Sequence, residues 1–305
     1  MSFKNLSNTK IQKNLFLRSK LIQSIRQFFL NCDYLEVETP YRIPSPIPEA
    51  FIYPIASENF LLHTSPELYM KRMLASGYPK IFQICKCFRK NERGDLHLPE
   101  FTMLEWYCAG KDYFDIMDEC EKLIIFIAQK LGFGDGIIFG ENKINLQWPW
   151  IRLSVEDAFE RYACSLSDCK SGEEFDEKIV FEIEPKLDKT KPVFLYDYPP
   201  YRCALARLNN KNLAERFELY VGGIEIANAF SELNNEKEQR KRFQEEIKLG
   251  KKNGRHDLSL PENFLKALAF MPDSGGIALG IDRLTMLFCN EKKIDNVVAF
   301  TPEEL

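Results

Sequence analysis

Residues 80–88 (KIFQICKCF) and 100–107 (EFTMLEWY) alternate apolar and polar side chains with the period of two that marks half-buried strands. The stretch between them, RKNERGDLHLP, is polar and carries a glycine at its tip. This pattern predicts one long antiparallel hairpin. A second hairpin is predicted over 214–225 (AERFELYVGGIE), with Gly222-Gly223 as its turn. Short strands are expected at 33–40 (DYLEVETP), 193–198 and 277–280, and helices at 11–31, 65–75, 112–131, 236–251 and 282–289. The helix at 65–75 carries strong start signals: serine as the cap, proline next and glutamate in the first turn. The glycine-rich stretch 132–140 fits neither dinucleotide nor phosphate-loop spacing and reads as a turn, and 141–192 reads as peripheral helices. Antiparallel hairpins mixed with helices argue for an α+β fold, not a doubly wound one.

A chain of 305 residues with 45% hydrophobic and 28% charged residues can bury a large core, which excludes disordered classes. The net charge of −4 argues against a broadly basic nucleic-acid surface. Nine scattered cysteines contain no C-x-x-C pair, and three histidines (His63, His97, His256) are too few for a Cys/His zinc site of standard spacing. The cysteines therefore read as core or strand residues in a reducing cytoplasm, with Cys85 and Cys87 neighbours on one strand face. No apolar run reaches the ~18 residues of a membrane span. The first 30 residues carry Lys4, Lys10, Lys13, Arg18, Lys20 and Arg26 and no acid, as a transit peptide would. Leu15, Arg18, Ile22, Ile25 and Phe29 recur at helical spacing, so a folded amphipathic helix is the preferred reading.

Three groups of residues carry chemistry. Arg89 closes one strand of the first hairpin, where a bidentate phosphate clamp fits, and Glu105 and Tyr107 share a face of the other. A solvated surface hairpin is the plain alternative. Glu218, Glu225, Asn228 and Glu232 are embedded in an apolar run, where acids need a cation or metal partner such as Mg²⁺ unless one strand face is solvated. In GIALGIDRL (residues 276–284), Arg283 falls in the first turn of a helix, against the helix dipole. A bound polyphosphate would offset that cost; an ordinary strand–turn–helix is the alternative.

In this order EVETP, FRKNERGDLHLPEFTMLEWY and GIALGIDRL resemble motifs 1, 2 and 3 of the class II aminoacyl-tRNA synthetases, around 11–40, 80–107 and 275–289. TSPELYMKRML and ERFELYVGGIEIANAFSEL are similar to the lysyl branch. The likeness runs from about residue 11 to 301. It implies one catalytic domain over 1–305, with an antiparallel sheet of six or seven strands flanked by helices. The chain opens directly on the motif 1 helix, with no room for the anticodon-binding module of lysyl-tRNA synthetases. On that ground, and because Ala278 stands where tRNA-charging enzymes have glycine, it resembles the elongation factor P–lysine ligase group.

That resemblance implies ATP-dependent activation of lysine, in particular (R)-β-lysine, to an adenylate, and transfer to a lysine of translation elongation factor P. Arg89 and Arg283 would be catalytic. Ser65, Pro66 and Glu67 would face the substrate amino group. Glu105, Tyr107 and Glu232 would receive the distal ammonium, with Asn228, Phe230 and Ala278 shaping the pocket. ATP would meet Arg89, Lys90, Asn91, His97 and Leu98 on one hairpin. Phe101 and Arg283 would sandwich its adenine, with Glu225, Ile226 and Gly280 close by. Glu218 and Glu225 would hold Mg²⁺. Motif 1 and Pro40 would form a homodimer interface. Two departures weaken the nucleotide contacts: Asn91 stands where the family has glutamate, with Glu92 one place later, and Leu98 replaces an asparagine. Two alternatives remain: a minimal lysyl-tRNA synthetase-like enzyme, disfavoured by the missing module and Ala278, and a catalytically dead lysine- or ATP-binding paralogue.

Overall fold

A computed structural model of the chain describes residues 9–169, 171–252 and 258–305. Lys4 and His256 lie outside them. In chain order the elements are α1 (Thr9–Asn31), β1 (Leu35–Glu36), β2 (Arg42–Ile43), β3 (Ile55–Ser57), β4 (Phe60–Leu62), α2 (Glu67–Ala75), β5 (Lys80–Phe88), β6 (Glu100–Ala109) and α3 (Tyr113–Lys130). Then follow β7 (Gly136–Phe139), β8 (Asn142–Asn145), β9 (Ile151–Ser154), α4 (Val155–Tyr162), α5 (Gly172–Lys178) and β10 (Val193–Tyr198). The last are β11 (Ala214–Val221), β12 (Ile224–Ser231), α6 (Glu236–Lys252), α7 (Glu262–Leu268), β13 (Ser274–Gly280) and α8 (Ile281–Cys289).

The central sheet has eight strands in the order β1-β5-β6-β13-β12-β11-β10-β9. Its six inner strands are antiparallel throughout, and each edge adds one parallel pair, β1 with β5 and β9 with β10. The sheet is thus mixed and larger than the six or seven antiparallel strands expected. β1 lies inside the strand expected at 33–40 but is cut to two residues, and β9, at four residues, is too short for a period of two to betray it. Other local expectations also needed correction. The 132–140 stretch is not only a turn, because β7 pairs with β8, and 141–192 supplies β8 and β9 as well as helices.

Alternation along β6 sorts its side chains between two cores. Leu104, Trp106 and Cys108 face α1, α3 and α8 in one apolar cluster. Tyr107 joins the other, with α2, α4 and α7. The odd-numbered residues Phe101, Met103, Glu105 and Tyr107 therefore share the second face. Asp112 starts α3 as a capping box with Asp115, which fixes the helix behind the first hairpin. Gly222 and Gly223 both have positive φ (61° and 83°), which lets β11 and β12 join in two residues. One carboxylate joins three distant segments: Asp282, at the start of α8, pairs with Arg18 of α1 at 2.6 Å and accepts from the Thr102 backbone N–H of β6 at 2.6 Å. Among the described residues no helix is long and apolar enough to cross a membrane.

Candidate active site

The second sheet face opens into a cavity of about 440 Å³ lined by β6, β12, β13, the loop before α2 and the loop after β5. Its buried end is acidic. Glu105 and Glu232 are each 1% exposed, and Glu67 is 9% exposed. Ser65 does not cap α2 through a first-turn proline, as the sequence suggests. The helix starts at Glu67 with Pro66 as its cap residue. Ser65 Oγ accepts from the Glu67 N–H at 3.0 Å and donates to Glu105 Oε1 at 2.6 Å. Tyr107 OH donates to Glu105 Oε2 at 2.7 Å. Burial drives the Glu105 carboxyl well above the ordinary range, Glu67 adds to this, and the Ser65 and Tyr107 hydroxyls oppose it.

Lys71, one turn along α2, is a residue that sequence reasoning passed over. It is 1% exposed, and its ammonium lies 2.5 Å from Glu67 Oε1 and pairs with Glu232 Oε2. Burial alone would strip its proton, but the Glu232 and Glu67 carboxylates hold its pKa above the usual lysine value. Burial likewise pushes Glu232 up to about 8 against the pull of Lys71. The other Glu232 oxygen, Oε1, is buried and has no hydrogen-bond partner. Only glycine fits at 276 beside it. A Cβ there would stand 2.2 Å from Glu232 Oε1 and 2.3 Å from the Tyr107 ring.

The more exposed end is cationic and aromatic. The Arg89 guanidinium lies 5.0 Å over the Phe101 ring, and its buried Nε has no partner. Arg283 Nη1 donates to the Glu225 carbonyl at 2.8 Å and to Glu225 Oε2 at 3.2 Å, and Nη2 meets His97 Nε2 at 2.5 Å. Arginine cannot accept, so His97 Nε2 does, and burial together with Arg283 lowers the His97 pKa. Leu98, Ile226, Ala278 and Gly280 complete this part of the lining. Asn228 and Phe230 line the cavity beside Arg216, a second residue the sequence reading missed. Arg216 Nε donates to Asn228 Oδ1 at 3.1 Å, which leaves the Asn228 amide NH₂ as the donor still to be used.

Four residues named from sequence are not brought to the cavity lining: Pro66, Lys90, Asn91 and Glu218. Asn91 takes a left-handed backbone (φ 67°), which asparagine tolerates better than most residues. Asn91 is exposed, and Glu92 lines the cavity with an oxygen 3.8 Å from Arg89. Glu218 is held by protein donors: Tyr198 OH and Tyr220 OH at 2.7 Å on one oxygen, and Arg216 at 2.6 Å on the other. Glu225 does line the cavity, and burial followed by the Glu218 charge raises its pKa.

The chain matches the family model of tRNA synthetases class II (D, K and N) over residues 1–304. It is 37% identical to a protein of Methanosarcina mazei named Lysine–tRNA ligase 2, over 96% of this chain and 63% of the relative. It is 36% identical to a protein of Pectobacterium carotovorum subsp. carotovorum named Elongation factor P–(R)-beta-lysine ligase, over 95% of both chains. A protein of the same name from Vibrio atlanticus is 36% identical over 94% of this chain and 95% of its own. The chain thus spans less than two thirds of the archaeal relative and nearly the whole of the two bacterial ones. The match across 304 residues makes this chain a member of the class II tRNA synthetases of the aspartate, lysine and asparagine group.

Proposed function

We propose that this chain activates lysine with ATP, (R)-β-lysine in particular, and transfers it to a lysine side chain of translation elongation factor P. One observation carries the reading. A single cavity joins a buried acidic end (Glu67, Glu105, Glu232, with the Tyr107 phenol) to an end bearing Arg89, Arg283 and Phe101. Buried carboxylates select a terminal ammonium, because an analogue lacking it leaves them unpaired. The guanidiniums suit phosphate, and Phe101 offers a ring face for adenine. Use of ATP is what membership of the family implies.

The substrate carboxylate oxygen attacks the α-phosphorus, and the P–O bond to pyrophosphate breaks. Arg89 and Arg283 stabilise charge on the phosphate oxygens, so positioning and electrostatics supply most of the catalysis. The acceptor ε-amine then attacks the carbonyl carbon, loses a proton, and AMP departs. Glu225 fits a divalent cation, since it offers hard carboxylate oxygens to the cavity with the Glu218 charge beside it. Mg²⁺ there would neutralise phosphate charge, with Glu218 contributing from behind through its field. Glu92, not Asn91, is the acid within reach of the nucleotide.

The acceptor is assigned from two supports: the names of the bacterial relatives matched along nearly their whole length, and Ala278 in the cavity lining. We take the chain as one catalytic unit, because one sheet draws strands from both ends of the sequence. Phe16 (72% exposed) and Leu30 (59%) on α1 support a homodimer through motif 1, and a monomer in sedimentation at micromolar concentration would refute that. The cytoplasm is the compartment such an acceptor requires. The deciding experiment offers labelled L-α-lysine and (R)-β-lysine with ATP and Mg²⁺ to elongation factor P and lysine tRNA in parallel. Label on the protein with the β form preferred supports the reading. Label on tRNA favours the synthetase alternative, and label on neither with no pyrophosphate exchange favours a dead paralogue.

A further inference from the structure

Behind the cavity wall lies a cluster that adenylate chemistry does not use. Cys85 and Cys87 project from β5 onto the site face, and His63 reaches them from the loop between β4 and α2. All three are buried, at 3%, 0% and 0% exposure. The two sulfurs and one imidazole nitrogen lie within 4.8 Å of one another. We propose that His63, Cys85 and Cys87 form a binding site for a d¹⁰ divalent metal ion of the zinc type.

Geometry carries the assignment. The two Sγ atoms are 4.0 Å apart. Two thiolates at about 2.3 Å from one ion stand about 3.8 Å apart at a tetrahedral angle and about 4.0 Å at a trigonal one. His63 Nε2 lies 2.6 Å from the Lys86 carbonyl oxygen, which only accepts, so Nε2 carries the proton. Nδ1 is then a bare lone pair, buried and without a hydrogen-bond partner. A ring held by a backbone carbonyl through one nitrogen and open at the other is the usual posture of a metal-binding histidine.

Charge and chemistry agree with the geometry. Two thiolates and a neutral imidazole around a 2+ ion sum to zero, which makes burial tolerable. Thiolate and imidazole donors together suit zinc and its congeners better than magnesium or calcium. Gln83, next along the same face, is 1% exposed with neither amide atom partnered, a polar group beside a cluster of three donors. Phe101, Met103 and Ala278 pack on the two cysteines and also line the cavity, so a single layer of side chains separates the cluster from it. A bound ion would fasten the His63 loop, which carries Ser65, to the strand that ends at Arg89.

The test uses the full chain, purified under reductant and stripped with a chelator. Zn²⁺ is titrated against a chromophoric chelator, and Cd²⁺ is followed by its thiolate charge-transfer absorbance. The expected result is one tight equivalent per chain, lost in C85S/C87S, weakened about 10–100-fold in H63A and kept in C120S. X-ray absorption on the Zn²⁺-loaded wild type decides the matter should the double variant misfold, and two sulfurs with at least one nitrogen are expected. No tight equivalent in the wild type, an unchanged equivalent in a folded C85S/C87S, or an absorption edge with oxygen and nitrogen donors alone would overturn the site.

Discussion

Lysine binding is expected to be linked to proton release at the acidic end of the cavity. Glu232 faces Lys71 and Glu67, with Tyr107 close by, and burial raises its pKa to about 8. Below that pH the carboxyl is neutral and attracts an ammonium weakly. A substrate ammonium that pairs with it must expel the proton. A single group of this pKa weakens apparent affinity about 100-fold at pH 6 and about twofold at pH 8. The lysine Kd should therefore fall about 50-fold from pH 6 to pH 8. Glu105, also raised, steepens the trend. Isothermal titration in two buffers of different ionisation enthalpy measures both quantities, and near pH 7 at least half a proton should leave per lysine bound. A Kd constant across this range, or equal heats in the two buffers, would refute the assignment of Glu232 to the ammonium. Without ligand the sign is opposite for stability. The folded state holds a proton that the unfolded chain loses above about 4.5, so this group's contribution declines as pH rises from there to about 8.

Three further outcomes are expected. Arg89→Ala should slow lysine-dependent pyrophosphate exchange by at least about 10²-fold with little change in melting temperature, and near-normal exchange would remove Arg89 from the chemistry. Lys71→Met leaves Glu67 and Glu232 buried without their cation, so denaturant titration should show a loss of about 3–5 kcal/mol, and an unchanged midpoint would contradict the ion pairing. Glu92→Gln should raise the ATP KM several-fold while Asn91→Asp leaves it near wild type; the reverse order would restore Asn91 to the nucleotide site.

Both hairpins, the main helices and many of the polar residues that line the cavity were legible in the sequence, because strand and helix periods report burial directly and those charged residues lie inside the patterns. The edge strands were only partly legible: β1 falls inside the strand expected at 33–40, but its parallel pairing depends on a partner 46 residues away, and the four residues of β9 carry too short a pattern to read. Lys71 was hidden by its ordinary setting. A lysine in an amphipathic helix reads as surface, and only the meeting of α2 with β12 puts Glu232 against it. Glu92 was seen only as a displaced acid, because spacing does not say which of two neighbouring residues turns to the cavity; in the fold Asn91 is exposed with a left-handed backbone and Glu92 lines the cavity. The His63–Cys85–Cys87 cluster was missed for the same kind of reason. Spacing rules for metal sites describe ligands on one short loop, and here a loop crosses back over the strand that follows it.

The carboxylate that joins α1, β6 and α8 bears on the order in which the protein matures. Arg18 also donates to the Thr102 hydroxyl, across 84 residues, and Thr102 meets Asp282 across 180. Contacts of such separation form late, because each closes a long loop before it returns any energy. A nascent chain that has not yet extruded α8 holds neither Asp282 nor Arg283. Binding of ATP should therefore lag behind the recovery of helix signal in refolding experiments, and ribosome-bound chains shorter than about 280 residues should have no nucleotide site to occupy. Activation of the amino acid would then begin only once the whole fold has closed, and no partly folded chain would spend ATP.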